Sequence, residues 1–356
     1  MVHNNRYVGL ATIALAGLAA CKVADSSPTQ GPVMVNEVTG IPHGSHSEKL
    51  AFSRDGRWLA SVEGADLVLR SVGAQVAESS RVALGQERGI ALDFAGTDRL
   101  ALLVDAGSGI VNLRQFTLPS GQEGKRLPLF GLAPGSISAH PTLPRVALGP
   151  VPPIGWNPRN ADEKAYGAVV YDLENGLPVG GAGPLTSGPE TRSLGWRGDE
   201  LVAVSLGGIK RWTPMTRARG VVRDFPEWVD VNAFFWLEGD DPLLGLVRWP
   251  RVGWLTDSGL QAVTLAEGDA ALFQVEPAWG GRAVAVLVNQ SQGKVSGAEL
   301  KVVTREGVTS TWPLSWPLLG VAAHPSLPLL AWQDGEGAVK LLRLTDGRSV
   351  GFGEAL

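Results

Sequence analysis

Leu50-Ala51-Phe52-Ser53-Arg54-Asp55-Gly56-Arg57-Trp58-Leu59-Ala60-Ser61 reads as an apolar strand, a tight turn and a second apolar strand. The Asp55-Gly56 pair supplies the positive φ that a hairpin turn requires. The same arrangement returns at Ile90–Leu103, around Gly96 and Asp98, and at Ile137–Ala147, around His140-Pro141 and Pro144. Further copies run from Ser193 through Trp196 and Gly198, from Ala233 through Trp236 and Gly239, and from Phe273 through Pro277 and Gly280. The last is Val321–Trp332, with His324-Pro325 and Pro328 in its turn. Most copies lead into another apolar run and a glycine turn, as in Val169–Gly176, Leu300–Gly307 and Leu341–Gly347. A shorter fourth run follows, such as Val221-Val222 or Ser349-Val350.

Taking Lys49 and Leu319 as equivalent starts gives a mean period of about 45 residues, the length of one four-stranded propeller blade. No window of about 15 residues shows clean helical periodicity. The expected fold class is therefore all-β, a seven-bladed β-propeller of four-stranded antiparallel blades over residues 41–356. Composition agrees: 46 Gly and 24 Pro in 356 residues provide many tight turns. With 44% hydrophobic and 19% charged residues, the chain can bury a large core. A net charge of −4 leaves no cationic excess for a phosphate backbone, which excludes a dedicated nucleic-acid binder. Two routes to ring closure are open. The strand-like Val33–Val38 completes or covers the last blade, or Arg348–Gly353 makes the outer strand alone.

The first copy resembles a WD40 repeat. Phe52–Ser61 matches that family's second strand and the turn before it, and His43 stands where the family often keeps a histidine. Pro42 replaces the usual glycine. The closing Trp-Asp pair is replaced by Leu69-Arg70, Tyr171-Asp172, Arg211-Trp212 and Leu342-Arg343. The resemblance implies a divergent bacterial propeller of a broad family that mostly serves as a binding platform.

Residues 1–20 carry Arg6 and no acid, and Tyr7–Ala20 is apolar. That run is shorter than the roughly 20 residues of a membrane span and suits a secretory signal peptide. It ends Leu18-Ala19-Ala20-Cys21, which resembles a bacterial lipobox. Cys21, the single cysteine, is then the lipidation site and residues 21–40 a tether. The expectation is a lipoprotein of the bacterial cell envelope, membrane-bound through its lipid and periplasm-facing or surface-exposed. An ordinary cleaved signal with a chance cysteine is the other reading.

His140 and His324 occupy the same position in two copies, which assigns them to turn shaping. His43 and His46 have no third ligand nearby, so no metal is expected. Nucleophile-elbow, P-loop, zinc-protease and dinucleotide motifs are absent. Asp98, Asp199 and Asp240 recur near first hairpin turns, where aspartate bonds locally. The acidic pairs Asp162-Glu163 and Asp240-Asp241 fall in turns as well. No catalytic residue and no cofactor is assigned.

Tryptophan is the outlier, with 12 residues against 3 Tyr. Trp58, Trp196, Trp212, Trp236, Trp254 and Trp332 fall on strands and are expected between blades. Trp156 and Arg159 lie in the insertion Val151–Tyr166, and Arg248, Trp249 and Arg251 lie in a second interruption. Asn289–Gly297 reads as a third polar loop, and Trp312 and Trp316 flank a linking segment. Propeller topology brings such loops to one face, where aromatics beside arginine are usual anchors of recognition. In the other reading these tryptophans cover the rim of the core. The function expected is a non-catalytic, protein-binding scaffold with an envelope protein as partner. The alternatives are a propeller hydrolase or lyase acting on a sugar or lactone, and a glycan-binding module that stacks sugars on Trp156 and Trp249.

Overall fold

The structure is a computed structural model. It describes residues 49–129, 134, 136–151, 167–183, 191–205, 208–213, 218–224, 231–235, 243–246, 250–256, 259–266, 270–291 and 294–356. The strands group into seven four-stranded antiparallel sheets, each made from consecutive strands. Blade 1 is β1 Leu50–Phe52, β2 Trp58–Glu63, β3 Asp66–Val72 and β4 Val76–Ala83. Blade 2 is β5 Arg88–Ala95, β6 Arg99–Asp105, β7 Val111–Thr117 and β8 Gln122–Leu129. Blade 3 is β9 Ser136–Ala139, β10 Arg145–Val151, β11 Gly167–Asp172 and β12 Leu177–Gly183. Blade 4 is β13 Thr191–Arg197, β14 Glu200–Ser205, β15 Gly208–Thr213 and β16 Ala218–Asp224. Blade 5 is β17 Val231–Phe235, β18 Leu243–Leu246, β19 Arg251–Thr256 and β20 Gly259–Thr264. Blade 6 is β21 Ala270–Ala278, β22 Arg282–Ser291, β23 Lys294–Thr304 and β24 Gly307–Leu314. Blade 7 is β25 Leu318–Ala323, β26 Leu329–Asp334, β27 Val339–Arg343 and β28 Arg348–Val350. The one helical element among the described residues is a single 3-10 turn at Trp279–Gly281.

The first strand of each blade packs against the first strand of the next, and β25 returns to β1. The wheel is closed. Its hydrophobic clusters lie in the seams between blades. In β6, Leu100, Leu102 and Val104 belong to the cluster shared with blade 1. Their alternates Ala101 and Leu103 belong to the cluster shared with blade 3. In β22, Ala283, Ala285 and Leu287 face blade 5, and Val284, Val286 and Val288 face blade 7. A strand buried on both faces must be apolar at every position, which is why these stretches read as continuous apolar runs.

The outer place in blade 7 is filled by β28, and Val33–Val38 lies outside the described residues. Across the seam between blades 7 and 1, His324 Nε2 lies 2.9 Å from the Gly56 carbonyl. Gln333 Nε2 donates to the Val62 carbonyl at 2.6 Å. Residues after β28 then pair with blade 1. Gly353 N–H donates to Val76 O at 2.9 Å, and Leu356 N–H to Ala74 O at 3.0 Å. The Arg70 guanidinium sits 4.4 Å from the centre of the Phe352 ring.

One sequence expectation is corrected. Asn289–Gly297 is not a loop: Asn289, Gln290 and Ser291 finish β22, and Lys294–Gly297 begin β23. Gln290 pairs with Val295 and Ser291 with Lys294, beyond the last partners of β21 and β24. Backbone pairing across a two-residue connection holds these polar residues extended, so the segment is a two-stranded ribbon extending past its blade.

Gly56 tests the closing seam. It has φ +72°, and a Cβ there would stand 2.3 Å from His324 Cε1. Gly64 has φ +62° with nothing within 4 Å of such a Cβ. Gly64→Ala is expected to cost about 1 kcal/mol, the strain of a left-handed alanine. Gly56→Ala should cost clearly more, because the His324 bond is displaced as well. Denaturant unfolding of both variants checks this; equal losses would mean that the His324–Gly56 contact contributes nothing.

Candidate recognition face

Among the described residues, several seams are pinned by a small set of polar side chains. His140 Nδ1 accepts the N–H groups of Thr142, at 3.2 Å, and Leu143, at 3.0 Å. His324 does the same with Ser326, at 3.1 Å, and Leu327, at 2.9 Å. An Nδ1 that accepts two amides is unprotonated, so Nε2 carries the hydrogen and donates to the next blade. His324 donates to Gly56 O, and His140 to Asp199 Oδ1 at 3.2 Å. The Ala-His-Pro-x-Leu-Pro pattern thus folds its own turn and clamps the neighbouring one. Asp199 takes part in that clamp across a seam, rather than in the local turn bonding expected for it.

Other seams use the first strands. In β21, Gln274 donates to the Val321 carbonyl at 2.8 Å and accepts the Val321 N–H at 3.0 Å, completing both backbone groups of one β25 residue. In β5, Asp93 accepts the Ala139 N–H at 2.8 Å. The Trp196 indole N–H donates to Ser138 O at 3.0 Å. Trp196, Trp254 and Trp332 are buried in seam clusters and Trp58 packs against one. The side chain of Trp212 and all of Trp236 lie outside the described residues.

Consecutive antiparallel strands give the wheel two ends. One carries the first and third hairpin turns of each blade. The other carries the second turns and the blade-to-blade links, and it is the end where the first strands begin. Near that beginning, five first strands hold one extra residue relative to their partners: Ile90, Arg192, Asn232, Phe273 and Leu319. Such bulges sharpen local twist and re-aim side chains. Sequence reasoning missed them, although the doublet Leu318-Leu319 before Gly320 breaks strict alternation there.

In the sector of blades 6 and 7, the bulges meet the aromatics. Phe273 is buried and lies edge-on to Trp316, with ring centres 5.8 Å apart. Trp316 itself is half-buried in the link between β24 and β25. Leu319 is 37% exposed on the first strand of its blade. Val295, from the extended ribbon, packs against the same cluster.

Trp312 packs against the same cluster from its outer side. It lies in β24, and a Cβ on Gly347 would stand 2.1 Å from its Nε1. Gly347 is in the β27–β28 turn, at the other end of blade 7, so Trp312 caps an outer seam. Arg251 is half-buried at the start of β19. Trp156, Arg159, Arg248 and Trp249 lie outside the described residues, as do Cys21, His43, His46, Asp162, Glu163, Asp240 and Asp241. Among the described residues, no group of three or more His, Cys, Asp or Glu is placed to hold a metal ion. No described helix is long and apolar enough to cross a membrane.

No protein family description matches the chain, and no curated protein matches it in sequence. Solved structures match it in fold. The β-propeller domain of Cps50 (Swd1) from Myceliophteria thermophila is 16% identical with a TM-score of 0.58, over 83% of this chain and 95% of that one. A chain of the mitotic checkpoint complex is 13% identical with a TM-score of 0.58, over 94% and 98%. The WD40 repeats of RRP9 are 9% identical with a TM-score of 0.56, over 75% and 81%. At these identities the likeness is one of architecture: the chain has the fold of a WD40-type propeller.

The histidine clamps set an acid limit on stability. Burial is the largest influence on His140 and lowers its pKa; Asp199 opposes this, and Arg145 and Arg54 add to the lowering. Burial also lowers His324, against the opposing Gly56 carbonyl and Asp55. Both folded values lie below the ordinary value near 6.5, so the unfolded chain binds protons that the folded chain refuses. Stability is then complete above about pH 6.5 and falls as pH drops through the lowered values. Urea unfolding at stepped pH should show this slope. His140→Asn with His324→Asn keeps an acceptor for the turn amides and should flatten it.

Proposed function

We propose that this chain is a non-catalytic scaffold of the bacterial cell envelope, held at a membrane by a lipid on Cys21, that recognises a protein partner through the link end of its propeller. The observation that carries the reading is a division of labour. His140, His324, Gln274, Asp93 and Trp196 are committed to neighbouring blades. At the link end, by contrast, Leu319 stands exposed three residues after the half-buried Trp316, and the ribbon of blade 6 extends past its blade. Apolar side chains held by a rigid frame lose little entropy on binding, which is what a docking surface requires.

The remaining proposed contacts are Trp156, Arg159, Arg248, Trp249 and Arg251, with Trp312 at the rim. Two connections, residues 152–166 and 247–250, would bring most of them to the link end by topology. Arginine beside tryptophan favours a protein surface carrying carboxylates and apolar side chains. The fold adds support of a general kind, since a chain of similar architecture belongs to the mitotic checkpoint complex. The lipid would confine the scaffold to the bilayer at roughly 0.8 kcal/mol per buried methylene.

Two measurements test the reading. Cys21→Ser should move the protein from the membrane pellet to the soluble fraction; an unchanged pellet overturns the anchor. Cross-linking in detergent-solubilised envelope should yield a partner with the wild type. That partner should be lost with Leu319→Asp and with Trp249→Ala while the melting midpoint holds. Equal recovery with both variants overturns the link-end surface.

A further inference from the structure

A cavity of about 160 Å³ lies at the outer seam between blades 2 and 3, independent of the link-end surface proposed above. Gln115 forms its floor, with Gly124 beside it and Leu173 on the blade 3 side. Arg99, Lys125 and Glu174 complete the lining that matters chemically.

Three features make this a built site. First, Gln115 is 4% exposed, and its Nε2 has no hydrogen-bond partner. A buried donor without a partner loses its hydrogen bond to water and gains none, and a leucine would avoid that cost. Its strand neighbour shows the contrast, because Arg114, 3% exposed, bonds to both Glu87 and Glu123. Second, the register of β7 and β8 shifts between Arg114↔Arg126 and Phe116↔Glu123, leaving Gly124 beside Gln115. A Cβ on Gly124 would stand 3.9 Å from the Gln115 Cβ, so a longer side chain would enter the space that glycine leaves. Third, cations surround the opening. Lys125 Nζ donates to the Glu174 carbonyl, which leaves two of its three hydrogens for other acceptors. Arg99 faces the Glu174 carboxylate at a loose 3.8 Å, and the Glu174 side chain is 66% exposed.

We infer that this cavity binds a carboxylate at the end of a short aliphatic chain. A turn of the Gln115 amide about its last torsion brings the buried orphan N–H to the cavity, where it donates to the carboxylate, and Lys125 and Arg99 balance the charge at the opening. A cavity of roughly 150 Å³ holds a benzene-sized group, so about six heavy atoms fit: a glutamate side chain, or one carboxylate end of a small acid such as glutarate with its other end outside. Exchange of Arg99 to the incoming carboxylate leaves the Glu174 carboxylate to water, which its 66% exposed side chain allows.

The test is calorimetric titration of the intact protein. The probes are glutarate, its neutral diamide, and a glycine-serine peptide carrying one glutamate. Glutarate or the peptide should bind, and the diamide should not. Comparable binding of both acids identifies a small-acid site. Peptide binding about tenfold tighter identifies the side chain of a partner. Gln115→Leu should weaken binding by about tenfold or more, since it removes a hydrogen bond to a charged group, and should also raise the melting midpoint. Gly124→Val fills the cavity by a different route and should abolish binding with the fold intact. Diamide binding equal to the acid, no binding of either acid, or unchanged affinity in Gln115→Leu would each overturn the assignment.

Discussion

The structure depends on middle strands that are buried on both faces. Leu100, Leu102 and Val104 complete one core, and Ala101 and Leu103, in the same strand, complete the next. No blade therefore owns a finished core. A row of blades would leave an apolar face bare at each end, and only a ring covers both. Fully burying a leucine stabilises by roughly 1.5–3 kcal/mol, and a hydrogen bond nets about 1 kcal/mol. The driving force for closing the wheel is accordingly the apolar seam, including Leu50, Leu59, Ala331 and Leu341 between blades 7 and 1.

The hydrogen bonds across the seams do a different task, which is to fix register. Burial is non-directional and would tolerate a blade slipping along its neighbour. Gln274 accepts and donates to the same residue, Val321, so a slip of one position breaks both bonds. His324 reads the Gly56 carbonyl from a turn held by its own ring. A third device operates at the outer strands. Gly121 and Gly176 each close a turn with a bond to a carbonyl four residues back. Each then lies against an outer strand of the previous blade, near Ser80 and Leu127. Side chains reinforce this contact: Ser80 donates to Ser120 O, and Gln261 to Arg305 O.

What the sequence made legible, and what it hid, follows from the same physics. Strand, turn and strand around Asp55-Gly56 could be read because turn chemistry is local and two-sided burial leaves unbroken apolar runs. The paired Ala-His-Pro motifs could be assigned to turns for the same reason. The partners of those histidines could not be read, since Asp199 is 59 residues from His140 and Gly56 is 268 from His324. The ribbon Asn289–Gly297 resembled a loop because its composition is polar, yet pairing between its two arms needs no apolar face. Gln115 escaped attention because alternation marks its position as core while its side chain is polar. The tryptophans showed the limit most clearly. Only three residues separate Trp312 from Trp316, but one lies against Gly347 and the other against Phe273.

These contacts make the two ends of the wheel unequal. At the hairpin end, the histidine clamps and the turns at Gly56, Gly96, Gly121, Gly176 and Gly347 repeat from blade to blade, and a repeated turn can vary little without opening a seam. At the link end, first strands bulge at Ile90, Arg192, Asn232, Phe273 and Leu319. A bulge places an extra residue outside the ladder, so its side chain can change without altering the pairing on either side. Chemical variety can accumulate at that end while the frame stays constant. The seam cavity at Gln115 breaks the rule from within, because it places a polar group where the repeat calls for packing. Burial leaves that group without water as a partner, so the repeat that places it there supplies no acceptor for its orphan N–H.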